Sequence, residues 1–125
     1  MYKKKPFLSV RQREIYYAYI PETVGSVQKG TRPVLITQNN RLNRKSTSYV
    51  CALITSKVKR LDLPEHVLLP PIPGLTKTSM VMAEQRLTVD REQLIAHRGH
   101  IDAKTFKQVA RALKKCEKPK KQRKV

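Results

Sequence analysis

The stretch YVCALIT, residues 49–55, restricts the fold more strongly than any other part of the sequence. It is rich in aromatic and β-branched residues, and its apolar side chains follow one another instead of alternating with polar ones. A strand with this pattern is typical of a sheet position where both faces are covered. We therefore predict a fully buried strand here, with the rest of the chain folded around it.

Further strands are predicted on both sides of this segment. EIYYAYI (14–20) and PVLITQ (33–38) precede it, and a Gly- and Pro-containing surface loop separates these two strands. NNRLNRKSTS (39–48) is predicted to be a polar loop. After the central strand, HVLLP (66–70) predicts a short strand and SMVMAEQRLTV (79–89) one or two more. The intervening PPIPGLTKT cannot be regular, because its prolines lack backbone donors.

The pattern changes after the last of these strands. Residues 90–95 predict a helical turn, and Asp102 is a good N-cap for a final helix. An apolar helix face follows at the spacing i, i+3, i+4, i+7, formed by Phe106, Val109, Ala110 and Leu113. The predicted fold class is α+β, mainly β: a small, strongly bent sheet or barrel with a C-terminal helix.

The length of 125 residues predicts one domain. We expect a basic, poorly ordered extension over residues 1–12, a folded domain over 13–116, and a basic disordered tail over 117–125. No apolar run reaches the length of a membrane span, and the basic start lacks the apolar stretch of a signal peptide. We therefore expect a soluble cytoplasmic protein.

The net charge of +18, from 27 Lys and Arg against 9 Asp and Glu, indicates a polyanionic partner. Nucleic acid is the first candidate, an acidic protein segment the second, and an anionic membrane surface a distant third. A basic surface that only aids solubility is the alternative that charge by itself leaves open.

Several catalytic classes lack their residues in this sequence. The nine acids form no cluster that would hold divalent cations, and no phosphate-binding loop with a GK[ST] ending is present. Two isolated cysteines, Cys51 and Cys116, make neither a disulfide framework nor a metal site. The histidines of HRGH (97–100) favour a surface or capping role, although a ribonuclease in which two histidines converge stays open. We predict no metal and no cofactor.

The remaining polar residues suit cleavage of RNA without metal. The 2′-OH of RNA can attack the adjacent phosphate when a protein assists proton transfer and stabilises the growing negative charge. A guanidinium suits the second task, because it is permanently charged and its fork matches phosphate geometry. A positioned hydroxyl adds a hydrogen bond.

The run GSVQKGTRPVLITQN (25–39) resembles a pattern of the MazF/PemK family of type II toxin–antitoxin ribonucleases. ALITSKVKRLDLPEHVLLP (52–70) is similar to the family's A-x-I-T-S strand and its L-P-x-H-V segment. LTKTSMVMAEQRLTVDREQL (75–94) resembles its E-Q-x-R-T region. The joint order and spacing of these motifs, over about residues 13–116, carry the resemblance.

The resemblance implies an SH3-like, CcdB/MazF-like barrel of five to seven short strands with a C-terminal helix, in a homodimer. It implies sequence-specific cleavage of single-stranded RNA that leaves a cyclic phosphate and a 5′-hydroxyl. It also implies a cognate antitoxin with an acidic C-terminal segment.

Carried over residue by residue, the family's catalytic arginine is Arg32 and its catalytic threonine is Thr55. Pro33 favours an extended backbone at Arg32, and Thr55 ends the central apolar strand, so both can project at a strand end. Residues that the resemblance or their position assigns to RNA binding are Gln28, Lys29, Asn39, Ser56, Lys57, Gln85 and Arg86.

The sequence departs from the family pattern at two places that matter for function. Val27 replaces the acid of G-S-E-Q, which puts base catalysis in doubt. In E-Q-x-R-T the arginine position is Leu87, with Arg86 one residue earlier, and neighbours on a strand point to opposite faces. Two alternatives therefore stay open: a non-enzymatic, CcdB-like inhibitor of DNA gyrase, and an RNA binder with weakened or no catalysis.

Overall fold

The structure, a computed structural model, describes residues 9–21 and 30–119, and these form one antiparallel sheet with a C-terminal helix. The strands have the spatial order β4-β5-β3-β2-β1-β6. In chain order the elements are β1 (Glu14–Ile20), β2 (Gly30–Ile36), α1 (Asn40–Asn43), β3 (Ser48–Thr55), β4 (His66–Leu68), β5 (Met80–Asp90), a 3₁₀ turn (Arg91–Gln93), β6 (Leu94–His100) and α2 (Ala103–Glu117). These six strands and the helix confirm the predicted fold class.

Strand β3 is the buried centre of the sheet, as its sequence predicts. It pairs antiparallel with β2 on one side and with β5 on the other. Cys51 and Leu53 point into a core on one face, and Ala52 and Ile54 point into a second core on the opposite face. An unbroken apolar run is therefore required from Cys51 to Ile54, because both faces of β3 are buried there.

The sheet separates two hydrophobic cores. The first core lies on one face of the sheet, and its residues are Val10, Tyr16, Ala18, Ile20, Val34, Ile36, Tyr49, Cys51, Leu53, Met80, Met82, Val89 and Leu94. The second core lies between the other face, helix α2 and the segment after β4, and it includes Ile15, Leu35, Ala52, Ile54, Val67, Leu69, Ile72, Val81, Ala83, Ile101, Val109 and Ala112. Burial of both faces stabilises the bent sheet.

Helix α2 begins at the predicted N-cap, where the Asp102 carboxylate accepts a hydrogen bond of 2.7 Å from the backbone N–H of Thr105. Its apolar face packs on the second core through Val109 and Ala112. The helix continues to Glu117, so the first residue of the predicted tail is helical; residues 120–125 lie outside the described part of the chain. No helix in the described ranges is long and apolar enough to cross a membrane.

Three local predictions need correction. Strand β2 begins at Gly30, earlier than predicted, and the predicted loop 39–48 contains the short helix α1. Strand β6 was not predicted at all: residues 90–95 contain only the 3₁₀ turn before the chain enters β6. The pairing of β6 with β1 is interrupted by two register shifts, and Gly99 has a φ of 127°, so β6 lacks the regular alternation that identifies a strand.

The prediction of disorder over residues 1–12 is wrong for its last part. Val10 is 4% exposed and belongs to the first core. The backbone N–H of Gln12 donates to Oδ1 of Asn40 at 2.8 Å, and its side-chain amide donates to the carbonyl of Thr37 at 2.8 Å. These contacts tie residues 9–12 to the chain after β2. Residues 1–8, and residues 22–29 of the predicted loop, lie outside the described part.

We expect Val10→Ala to lower the free energy of unfolding by about 1 to 3 kcal/mol, because it removes two buried methyl groups from the first core. Denaturant unfolding measures the change. Ser9→Ala is the matched control, since Ser9 is exposed, and it should change the value by less than about 0.5 kcal/mol. Equal effects of the two substitutions would contradict the placement of Val10 in the core.

Candidate active site

The β2–β3 pairing aligns Arg32 with Thr55 at one end of the sheet. The register pairs Val34 with Leu53, Leu35 with Ala52 and Ile36 with Cys51. Extended by two residues beyond Val34, the same register places Arg32 opposite Thr55, on the face that holds Val34 and Leu53. The β2–β3 pairing includes Val34 but not Pro33, because proline has no backbone N–H to donate to a neighbouring strand. The two predicted catalytic residues therefore share one face and one end of the sheet.

Thr55 is the last residue of β3 and is itself buried. It is 7% exposed, and its Oγ1 accepts a hydrogen bond of 3.1 Å from the backbone N–H of Lys57. This bond fixes the hydroxyl oxygen and begins a turn that leaves Ser56 and Lys57 exposed. The structure thus brings these two predicted RNA-binding residues directly beside Thr55. Arg32 is half-buried, and on its other side it pairs with Ala18 of β1.

His66 forms hydrogen bonds that hold the loop after Thr55. It was not among the site residues predicted from the sequence. Nδ1 of His66 lies 3.1 Å from the carbonyl oxygens of both Lys59 and Arg60, and Nε2 lies 2.9 Å from Oε2 of Glu84. The His66 side chain is only 5% exposed. It therefore links the loop that carries Lys57 to strand β5. Both residues occur in the motifs quoted above, the His of L-P-x-H-V and the Glu of E-Q, but sequence alone does not reveal that they meet.

The environment of His66 raises its pKa above the ordinary value. Burial acts to lower the pKa, but the hydrogen bonds to Glu84 and to the carbonyls of Lys59 and Arg60, with the negative charge of Glu84, outweigh it. These partners all accept hydrogen bonds, so they favour the imidazolium, in which both ring nitrogens donate. The charged ring then bonds to the loop and to β5 at the same time.

An irregularity in β5 positions Glu84 for this contact. Ala52 of β3 pairs with Arg86, but the next residue, Leu53, pairs with Met82, so Ala83, Glu84 and Gln85 have no partner position on β3. The extra residues bend the strand and turn Glu84 towards His66. Gln85 is half-buried within the same bend.

Arg86 is not brought to Arg32 and Thr55. It shares the sheet face of its partner Ala52, on the side of the second core, and its guanidinium forms an ion pair with Glu117 of α2. Leu87 packs against the first core instead. The predicted division of these neighbours between opposite faces is therefore confirmed, and the structure assigns the Arg86 side chain a contact that anchors the end of α2.

The other predicted RNA-binding residues are separated from the Arg32–Thr55 pair or lie outside the described ranges. Asn39 follows the opposite end of β2, where its Oδ1 caps α1 by accepting a hydrogen bond of 3.0 Å from Leu42 N–H. This capping bond gives Asn39 a structural role. Gln28 and Lys29, like Val27, belong to residues 22–29, which the structure does not describe.

The three histidines do not form one site. His66 is on β4 and contacts Glu84, whereas His97 and His100 are on β6, where Nε2 of His97 lies 3.4 Å from Oε2 of Glu14. His66 and His97 therefore contact different carboxylates, on Glu84 and Glu14. Among the described residues, no group of three or more His, Cys, Asp or Glu is arranged to hold a metal ion. Cys51 is buried, which raises the pKa of its thiol to about 12, and Cys116 is half-buried.

The register of β2 and β3 therefore places an arginine and a threonine on one face at one end of the sheet, and the exposed Lys57 follows Thr55 by two residues. Permanent positive charge beside a hydrogen-bonding hydroxyl suits a phosphate group, because both groups can contact its oxygens. The end of β2 and β3 is therefore a candidate oxyanion-binding site at one end of the sheet.

Comparison with known proteins gives the family. Residues 11–116 match the model of the PemK-like, MazF-like toxin of type II toxin–antitoxin systems. The chain is 34% identical over 105 residues to Endoribonuclease EndoA of Bacillus subtilis strain 168, covering 83% of this chain and 90% of that protein. It is 31% identical over 105 residues to Endoribonuclease MazF of Staphylococcus saprophyticus, covering 83% and 88%. The chain belongs to the PemK/MazF toxin family.

Solved structures of similar proteins have the same fold. MazF from Deinococcus radiodurans aligns with a TM-score of 0.74 at 20% identity, over 86% of this chain and 94% of that one. A mycobacterial endoribonuclease in complex with its cognate antitoxin aligns with a TM-score of 0.70 at 23% identity, over 86% and 93%. The predicted MazF-like architecture is thereby confirmed.

We expect Glu84→Gln to lower the pKa of His66, because it removes the carboxylate that favours the imidazolium. An NMR titration of the His66 ring should show a midpoint above the ordinary value of about 6.5 in the unaltered protein and a lower midpoint in the variant. Since the pKa of folded His66 is raised, the stabilisation from this pair is complete below pH ~6.5 and disappears as the pH rises through the folded pKa.

Glu84→Gln should therefore destabilise the protein more at pH 6 than at high pH, as measured by denaturant unfolding at both. Glu14→Gln is the control, because Glu14 faces His97 instead. An unchanged His66 midpoint in Glu84→Gln would contradict the proposed coupling.

Proposed function

We propose that this chain is the toxin of a type II toxin–antitoxin system and that it cleaves single-stranded RNA, including mRNA, at short sequences without a metal cofactor. The observation that carries the proposal is the alignment of Arg32 and Thr55 on one face at one end of β2 and β3, within a chain of the PemK/MazF family. Relatives at 34% and 31% identity are named endoribonucleases, which supports the same activity here.

In the proposed reaction the 2′-oxygen of a nucleotide attacks the adjacent phosphorus. The new O–P bond closes a 2′,3′-cyclic phosphate, and the bond from phosphorus to the 5′-oxygen of the next nucleotide breaks. The 2′-OH loses a proton and the departing 5′-oxygen gains one, so the products are a cyclic phosphate and a 5′-hydroxyl. Negative charge increases on the non-bridging oxygens during the attack, and this charge is what the protein must stabilise.

Each side chain of the site has a distinct role in this proposal. Arg32 donates hydrogen bonds to the non-bridging oxygens and supplies permanent positive charge. The Thr55 hydroxyl donates a hydrogen bond to the same phosphate, while the backbone N–H of Lys57 holds Oγ1 of Thr55 in place. Exposed Ser56 and Lys57 contact the neighbouring nucleotides. Because Val27 stands where the family has an acid, no carboxylate is assigned as general base, and slower turnover than in relatives that keep the acid is expected.

The partners follow from the family and the charge. We propose a cytoplasmic homodimer that is inhibited by a cognate antitoxin with an acidic C-terminal segment. The structure of a mycobacterial relative in complex with its antitoxin supports such a partner, and the net charge of +18 suits an acidic segment that competes with RNA.

Arg32→Ala should lower kcat/KM for cleavage of single-stranded RNA by about 100-fold or more, because it removes the permanent charge at the phosphate, and Thr55→Ala should lower it by about tenfold or more. Cleavage of a mixed RNA in EDTA, with the cut sites mapped by primer extension, measures both. Arg41→Ala is the matched control, since Arg41 is an exposed arginine at the other end of β2.

Full activity of Arg32→Ala, with the control also active, would refute the site assignment. RNA binding without cleavage by the unaltered chain would favour the silent RNA binder. Trapped gyrase–DNA breaks in cells that express the chain, without RNA fragments, would favour the CcdB-like inhibitor.

A further inference from the structure

Helix α2 presents a continuous cationic surface to solvent. Six exposed basic residues make up this surface, which we call the α2 stripe: Lys104, Lys107, Arg111, Lys114, Lys115 and Lys118, the last of which is the C-cap. At 3.6 residues per turn all six fall within an arc of about 100°, opposite the side on which Val109 packs into the second core. The stripe is therefore the outward face of the helix and not a scatter of charges.

Helix stability explains only part of the stripe: Lys114 and Lys115 lie in the last turn, where the helix dipole favours cations. Six pairs of its residues are three or four positions apart, where like charges repel each other. Lys104 and Lys107 also lie near the helix N-terminus, where the helix dipole disfavours cations. Glu117, the one acid within α2, pairs with Arg86, and Asp102, the N-cap, has a favourable charge interaction with Lys104 alone among the stripe residues. Within the described residues no ion pair joins the stripe to an acid.

We propose that the α2 stripe binds the phosphate backbone of RNA, as a second contact that holds long substrates. The inference rests on the proposed function, because it concerns the same substrate. From Lys104 to Lys118 the stripe extends about 21 Å, which matches about six phosphates of a stacked strand at ~3.4 Å each. Backbone binding needs only cations in a row, and it carries no sequence information.

The stripe suits RNA better than a protein partner. Its arc contains no apolar or aromatic side chain, whereas protein interfaces are centred on such residues. A second copy of the same face is excluded by charge repulsion. The stripe is also separate from the active site: α2 covers the second core, while Arg32 and Thr55 belong to the face of the first core. Because the two surfaces lie on opposite faces of the sheet, only an RNA long enough to pass around the sheet edge contacts both.

The test compares two variants that each lose four positive charges. The stripe variant carries Lys104→Gln, Lys107→Gln, Arg111→Gln and Lys114→Gln, since glutamine keeps the helix propensity. The control variant carries Arg11→Gln, Arg41→Gln, Arg44→Gln and Lys45→Gln, all at exposed positions outside α2. Circular dichroism verifies that both are folded. Kinetics are measured on an 8-nucleotide RNA and on a 60-nucleotide RNA that contain the same cleavage site.

The stripe variant should raise KM for the 60-nucleotide RNA about tenfold or more at ~0.1 M salt, with kcat unchanged, and should leave cleavage of the 8-nucleotide RNA within about twofold. In an Arg32→Ala background, which prevents cleavage, the slope of log Kd against log salt for the 60-nucleotide RNA should fall by about 3, or about 0.7 for each lost contact. The control variant should change both quantities much less.

Three results would overturn the proposal. The first is an unchanged KM and salt slope in the stripe variant, and the second is an equal loss in the control variant. The third is a stripe variant that loses binding to poly-glutamate but not to RNA, which would point to an acidic protein partner. If the unaltered chain cleaves neither RNA, the proposed ribonuclease function fails, while the binding comparison with the 60-nucleotide RNA still decides the role of the stripe.

Discussion

The antiparallel pairing of β2 with β3 is the constraint on which the rest of the molecule depends. β3 is buried on both faces, so its side chains cannot move to another register without exposing one core or the other. The same register that pairs Val34 with Leu53 aligns Arg32 with Thr55 beyond the last recorded pair. The position of the proposed active site is thus a consequence of core packing, and a slip of one residue would put the two side chains on opposite faces.

A second set of contacts supports the chain that leaves β3. His66 and Glu84 join the loop after Thr55 to the bend in β5, and Arg86, directly after this bend, joins the end of α2 through Glu117. Through Glu84 and Arg86, this part of β5 therefore contacts both the loop beside the proposed active site and the end of α2. The proposed site for cleavage lies on the face of the first core, and the basic helix covers the second core. The two proposed surfaces therefore lie on opposite faces of the sheet, and both contact β5.

The central strand, the N-cap at Asp102 and the fold class could be predicted from sequence, because continuous apolar runs and capping residues act locally. Strand β6 could not, since two register shifts and Gly99 remove its alternation. The burial of Val10 in the first core and the hydrogen bond between His66 and Glu84 could not be predicted either, because both join residues distant in sequence. Arg32 and Thr55 were identified through family motifs, while Asn39 and Arg86 proved to have structural contacts that composition does not reveal.

The central claim is that Arg32 and Thr55 act as one unit on a single phosphate across the β2–β3 pairing. A double-mutant cycle with Arg32→Ala, Thr55→Ala and the combined variant tests it, using single-turnover cleavage of a short RNA in EDTA. Residues that act as a unit give non-additive effects, so the combined variant should be slower than Arg32→Ala by no more than about threefold. If the two losses multiply in full, the residues act independently and the account of the site is wrong.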